Sequence, residues 1–524
     1  MPEIMKGRIV MRVDNLRLNN TIAHRYCPAV VTFMLAVMIS QVALAATFNV
    51  SNLTEFNNAL IVARNNGEDD MIVMAAGTYN CDGSVSMLEN HSLTIQGAGT
   101  GKTIIKSNFG LTSWLSADAA TQFTIKGVTI QDSTGDGAGQ PGLDFFVDQA
   151  NISIEDCEFK NNVSNADGTG LNIHATGTST VIVRNNVFSN NTQTGLGQGA
   201  GAHISSYGPI TIENNTFSGN RSQSSGGGLV AFADVSSQIT LKGNTFISNI
   251  ARNDAGDQGM GGGASVVSTN GTVIMVNNIF YDNSAQQSGA AQIQSSGSSD
   301  ITVVNNTFFK NSAQQFGGLF VWPKTGTTNI YNNILYANSD TLGSYDLAIN
   351  NSQSTLVNVY NNDVKLWAAS LPAFAQQDGN INEDPKLNDL WHLIKDSPCI
   401  DTGLSSAPSL STVDIDSNPR IINGSVDIGA AEYTGTEVKL VREGATVGSY
   451  ANLQDAYEHA DSGDVIKMPA TVLTEDLTFF RPVNVEITGG YKYDYVQSAG
   501  MTTLYGSMTI QGGGTMGCGW FTLK

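Results

Sequence analysis

Charge is scarce in this 524-residue chain, and positive charge is scarcest: charged residues make up 14%, with 26 Lys and Arg against 46 Asp and Glu. The formal net charge of −20 leaves no basic face, which argues against nucleic acid or an anionic membrane as partner. Cysteine is also sparse, five in all. After residue 45 only Cys81, Cys157, Cys399 and Cys518 remain, too far apart for a disulfide framework. No Cys/His spacing matches a zinc site, and Cys157 reads as a lone buried thiol. Nor is there an apolar 3.6 period long enough for a helical solenoid. Beyond residue 45 no hydrophobic run is long enough to span a membrane. Asn, Ser, Thr and Gly carry the surface instead.

What is there is a repeat. Its clearest copies are Ile212-Glu-Asn-Asn-Thr-Phe217-Ser-Gly-Asn220, Val183-Arg-Asn-Asn-Val-Phe188-Ser-Asn-Asn191 and Val276-Asn-Asn-Ile-Phe280-Tyr-Asp-Asn283. The first Asn of the pair, or its equivalent, falls at Gly97, Gly127, Asp156, Asn185, Asn214, Gly243, Asn277, Asn305, Asn332 and Asn361. Most steps are 28 to 30 residues, with one of 34 and one of 27. Such a period signals a solenoid whose repeats bury their apolar faces against each other. Apolar residues alternate, as in Ile210-Thr-Ile212, and β-branched residues dominate, so the repeat is made of strands. Three short strands and three turns fit one copy. Stacked about 4.8 Å apart, ten coils make a rod on the order of 50 Å long. The fold class is therefore all-β: a right-handed parallel β-helix. Asn suits the left-handed turns, and a column of Asn side chains can hydrogen-bond from coil to coil. Phe159, Phe188, Phe217, Phe246, Phe280 and Phe308 should point inward and stack.

Phe217-Ser-Gly-Asn220 with Gly227-Gly-Leu229, and Phe308-Phe-Lys-Asn311 with Gly317-Gly-Leu319, resemble the repeats of chlamydial polymorphic outer-membrane proteins and related bacterial β-helix proteins. Ser397-Pro-Cys-Ile-Asp-Thr-Gly403, Asp414-Ile-Asp-Ser-Asn-Pro-Arg420 and Val426-Asp-Ile-Gly-Ala-Ala-Glu432 resemble the closing segment of secreted β-helix proteins of the choice-of-anchor Q type. The resemblance implies this fold and export. It does not choose among adhesins, polysaccharide-degrading enzymes and proteins of other roles.

Residues 1–45 read as a signal peptide. Lys6, Arg8, Arg12, Arg17 and Arg25 precede an apolar run that ends Ala43-Leu-Ala45. Removing them takes away five positive and two negative charges, leaving −23. Residues 46–96 read as a cap and first coils, with an amphipathic helix from Asn52 to Ala63 behind Ser51 as N-cap. Residues 97–364 are regular coils and 365–433 an irregular closing segment. Residues 438–524 start again: Tyr450 to Ala460 is a second amphipathic helix, and Gly463-Asp-Val-Ile-Lys-Met468 echoes Asp69-Asp-Met-Ile-Val-Met74. A second β-helix begins there. Either it packs on the first domain or the sequence is a piece of a longer protein.

Aligning coils on Gly170, Gly199, Gly228, Gly263, Ala290 and Gly318 places an outward stripe on one sheet. It runs from stacked His174 and His203 through Phe232 to Phe320 and Trp322. Exposed aromatics in a row suggest a sugar-stacking platform. The alternative is that the closing segment folds over Phe320 and Trp322, and that the histidines are merely solvated. The longest loop, Ile250 to Met260, brings Arg252, Asp254 and Asp257 toward the stripe, beside Arg221 and Asp167. A polysaccharide lyase would need a Lys or Arg base, and a hydrolase two or three carboxylates. Arg252, Asp254, Asp257 and His203 are the candidates, yet no catalytic motif of the pectate lyase or polygalacturonase families is intact. Asp414, Asp416 and Asn418 alternate as in a calcium loop, but Pro419 stands where the turn needs Gly. A structural turn is the preferred reading, with Ca2+ the alternative and no other cofactor implied.

The sequence thus points to a secreted protein, extracellular or on the outer cell surface. Its expected work is adhesin-like binding of a polysaccharide, a surface glycan or another surface protein. The alternatives are a lyase or glycoside hydrolase on the same rod, and a structural module of a larger surface protein.

Overall fold

The computed structural model describes residues 45–81, 83–86, 91–106, 109–112, 121–134, 142–234, 236–253, 259–341, 345–350, 356–365, 375–422, 424–434, 437–450, 452–491, 495–496 and 500–524. The expected signal peptide, up to residue 44, lies outside the described residues, and so do Asp254 and Asp257.

Among the described residues seven coils lay down four strands, one more than the repeat suggested. In one coil these are Leu171–Thr176, Val181–Arg184, Val187–Ser189 and Thr192–Gln193. Like strands of successive coils pair in parallel, giving sheets of ten, thirteen, eleven and seven strands in that order around the coil. The fourth strand arises because each copy makes two sharp corners close together. Asn185 and Asn190 both take left-handed conformations, φ 57° and 54°. Asn tolerates that region where most side chains do not. The result is a right-handed parallel β-helix.

Inside the coil, alternate residues of every sheet stack on their equivalents. Phe159, Phe188, Phe217, Phe246, Phe280 and Phe308 are fully buried. Their rings are 4.5 to 4.9 Å apart and within 10° of parallel. Cys157 is buried too, and burial pushes its thiol up to about 12.

Two buried amide ladders hold the corners. The first runs through Asn186, Asn215, Asn244, Asn278, Asn306, Asn333, Asn362 and Asn380. The second runs from Asn162 through Asn191, Asn220, Asn249, Asn283, Asn311 and Asn338 to Asp346. In both, each Oδ1 accepts the backbone and side-chain N–H of the preceding ladder residue. For Asn220 the donors are Asn191 N at 3.0 Å and Asn191 Nδ2 at 2.9 Å. Its own Nδ2 donates to Phe188 O and Asn249 Oδ1, both at 2.9 Å.

The rod is capped by a helix, α1 (Leu53–Ala63), which buries Phe56, Ala59, Leu60 and Ala63 against the first strands. Its N-cap is Asn52, one residue later than expected. Asn52 Oδ1 accepts from Glu55 N at 3.0 Å, while the Glu55 carboxylate reaches back to Ser51 N at 2.7 Å. This reciprocal pairing satisfies two donors at the helix start, so Ser51 serves as donor rather than cap. The cap also blunts the open strand edges.

The closing segment docks at the corner between the thirteen- and eleven-stranded sheets. There the first Asn of each pair offers its amide outward. Asn277 Nδ2 donates to Val413 O at 2.7 Å and Asn305 Nδ2 to Asp427 O at 2.9 Å. Asn332 both donates to Leu404 O and accepts from Leu404 N, and Asn361 Nδ2 donates to Thr402 O at 2.9 Å. On earlier coils Asn185 and Asn214, which meet no such segment, are exposed.

A second unit follows. Helix α2 (Leu453–Glu458), capped by Asn452, lies beside parallel strands Val465–Pro469, Val485–Tyr491 and Met516–Gly519. Its core is its own, with Leu453, Tyr457, Ile466, Met468 and Ile487 buried together. No helix among the described residues is long and apolar enough to cross a membrane.

Asn220→Ala strands buried donors and acceptors on both neighbouring coils. It should destabilise the rod by about 3 kcal/mol, seen as a lower urea midpoint of the whole chain. An unchanged midpoint would contradict the ladder's role.

Candidate functional site on the ten-stranded sheet

The outward face of the ten-stranded sheet carries two columns in strict register. The first passes through Asp144, Asn172, His203, Val230, Ser265, Gln292 and Phe320. The second passes through Phe146, His174, Ser205, Phe232, Val267, Gln294 and Trp322. His174 therefore faces Ser205, and His203 faces Asn172. The two histidines are diagonal neighbours, not stacked. The expected stacking fails because one coil hides a compensated shift. Gly199, at φ 67°, occupies the left-handed position of Gly168 (φ 61°), and Gly201 that of Gly170. Two extra residues enter before the strand and two are missing after it, so the 29-residue step survives.

The first column is largely covered. Val230, Ser265, Gln292 and Phe320 are 3%, 4%, 2% and 6% exposed. Left-handed residues in the incoming turn press the chain onto this column. A Cβ at Gly226 would come within 2.4 Å of Val230 Cγ2. In the last such coil Phe316 takes the same conformation, φ 62°, and lays its ring on Phe320 at 4.5 Å. Phe320 is thus packed, not a stacking platform. Trp322 is 40% exposed. Neither is covered in the expected way, since the closing segment makes the contacts above at a different corner. Phe146 and Phe232 are half-buried.

At the upper end lies a hydrogen-bonded chain. Asn172 Nδ2 donates to Asp144 Oδ1 at 2.9 Å, and Asn172 Oδ1 is 3.1 Å from His203 Nδ1. An amide oxygen only accepts, so His203 carries its proton on Nδ1 and leaves Nε2 basic. Burial lowers the His203 pKa, with Asp167 opposing and His174 reinforcing. Burial raises that of Asp144, against the Asn172 hydrogen bond and His174. His174 Nδ1 is 3.0 Å from Ser205 Oγ, and its ring stacks on Phe146 at 4.7 Å. Asp144, Asn172, Ser205 and Phe146 were not singled out from the sequence. Pairing Asn172 with His203 needed the corrected register.

Arg252 is exposed just beyond the strand Ile250–Ala251. Asp167 spends Oδ1 on Gln198 N at 2.7 Å. Among the described residues no group of three His, Cys, Asp or Glu side chains converges to hold a metal. The suspected calcium loop uses its oxygens internally. Asp414 accepts from Asp416 N, Asn418 N, Asn418 Nδ2 and Glu432 N, all within 3.1 Å, and Asp416 Oδ2 meets His392 Nε2 at 2.6 Å.

The family described as right handed beta helix region matches residues 121–335. Among solved structures, pectate lyase Pel9A is similar at 13% identity over 75% of this chain and 97% of its own, with a TM-score of 0.38. The PL6-family alginate lyase AlyGC aligns at 12% identity over 91% of this chain and 71% of its own, with a TM-score of 0.29. No curated protein matches the sequence.

His203 should titrate below the ordinary histidine value of about 6.5, and Asp167→Asn should lower it further because an opposing charge is gone. Histidine ring signals followed by NMR across pH check both. A His203 titration above that value would contradict the half-buried, neutral ring.

Proposed function

We propose that this chain is an exported β-helix protein, extracellular or on the outer cell surface, that binds glycans. The contact surface is the second outward column of the ten-stranded sheet. The observation that carries this reading is Trp322, 40% exposed, at the end of a column that also holds Phe146 and Phe232. Aromatic faces stack on sugar C–H surfaces, while His174, Ser205 and Gln294 in the same column supply hydrogen bonds. The polar, hydroxyl-rich surface and net charge of −20 suit an extracellular binder. Export rests on the leader sequence and on the resemblance of the repeats and closing segment to secreted β-helix proteins.

A second reading is a polysaccharide lyase or hydrolase working on the same face. The Asp144–Asn172–His203 chain favours it, because it presents a neutral imidazole with a fixed tautomer, as a general base requires.

The test is a polysaccharide array on residues 46–524, read for retention and for new reducing or unsaturated ends. Retention that falls about tenfold in Trp322→Ala, a loss of about 1.4 kcal/mol, is the expected result. Products that vanish in His203→Gln would make the chain an enzyme. Neither signal would leave adhesion to a surface protein or a structural role.

A further inference from the structure

The closing segment seals an unbalanced set of charges against the rod. Arg420, Asp414, Asp427 and Glu432 are 1%, 3%, 2% and 4% exposed. One guanidinium thus faces three carboxyl groups. Arg420 donates to Glu432 Oε1 at 3.0 Å, to Asn277 Oδ1 of the rod at 2.7 Å, and to the carbonyls of Gly429 and Ala430. Asp427 N lies 3.2 Å from both oxygens of Glu432, and Asp427 itself accepts from Asp401 N and Tyr433 N. Beneath the segment, Asp363 of the rod is fully buried and takes the Cys399 thiol at 3.5 Å. Its other charged neighbours, Asp346 and Glu383, are also acidic. Buried carboxylates in such numbers are costly unless some hold protons.

We propose that residues 384–434 form a pH-dependent latch on the rod, docked in acid and released toward alkaline conditions. The inference stands apart from the glycan reading.

Burial moves Asp427 up to about 6 and Asp363 up to about 7. It moves Glu432 upward too, with Asp427 adding to the shift and Arg420 opposing it. In a released segment Asp427 and Glu432 would titrate near about 4, and Asp363 on the rod, no longer covered by Cys399, would move down toward that value. The docked state therefore holds protons that the released state has lost. Docking is tightest below about pH 4 and weakens as the pH rises through the docked values.

The segment can respond by itself because its apolar anchorage is separate from the core of the coils. Ile334, Leu393, Cys399 and Ile428 form one cluster, with Tyr336, Ile381, Leu387, Ile400 and Tyr433 packed on it, and Val276, Val304 and Ala407 another, with Ile274, Tyr331, Leu404 and Leu410; both lie outside the continuous core of the coils. Further contacts include the Trp391 ring against Tyr281 at 4.8 Å, the Cys399–Asp363 bond, and hydrogen bonds to Asn277, Asn305, Thr307, Asn332 and Asn361. Release would uncover that corner of the rod. Local opening of a separately anchored unit is common in folded proteins.

Hydrogen exchange of the whole chain, followed by mass spectrometry between about pH 5 and about pH 8 and corrected for intrinsic rates, tests this. Opening of peptides from 396–434 should rise at least about tenfold across the range, while peptides from 181–250 stay constant. Glu432→Gln and Asp427→Asn should each flatten the slope, since neither replacement can lose the proton. Asp363→Asn, on the rod, gives an independent reading should either variant fail to dock at acid pH. An opening constant that does not change with pH, or that falls, would overturn the proposal, and so would unchanged slopes in all three variants.

Discussion

The hydrogen bond from one asparagine side chain to the next, repeated at two corners of the central coils, is the interaction on which the rod depends. A parallel coil must turn sharply, and its corner amides point into the protein where water cannot reach them. An unpaired buried amide is costly. Asn answers with one side chain that both accepts and donates, at the spacing of neighbouring strands. Asn186 N and Nδ2 both donate to Asn215 Oδ1, at 2.9 and 3.0 Å, and the pattern recurs coil after coil. The phenylalanine stack lies between the two ladders and fills the space that they define.

With the corners set, the outward faces are free to differ. On the ten-stranded sheet the incoming glycine-rich turns cover one column and leave the next open. That is why Phe320 is packed and Trp322 is not. At the opposite kind of corner, the first Asn of each pair holds the turn with its backbone and offers its side-chain amide outward. Along the last coils that amide is taken by the closing segment, where Arg420 and its three carboxyl neighbours sit out of water.

Much of this was legible in the sequence because the period is strong. Alternating β-branched residues gave strands, the Asn pairs gave turns, and the Phe column gave the inward face. The fourth strand was not legible, since Thr192–Gln193 is two residues long and has no apolar pattern. The histidine register was missed for a sharper reason. The shift of two residues around Gly199 is cancelled within the same coil, so counting from marker to marker cannot detect it. Asp144 and Asn172 are ordinary polar residues whose significance depends on that register. Arg420 and Glu432 were read as words of a closing motif, and only their burial against Asn277 shows the charge they enclose.

The most direct test of the account is hydrogen exchange at the corners themselves. If buried amide ladders hold the coils, the backbone amides of Asn186, Asn191, Asn215, Asn220, Asn244 and Asn249 should exchange as slowly as those of the strands beside them. Corner amides that exchange as freely as those of exposed surface turns, while the strands remain protected, would contradict it.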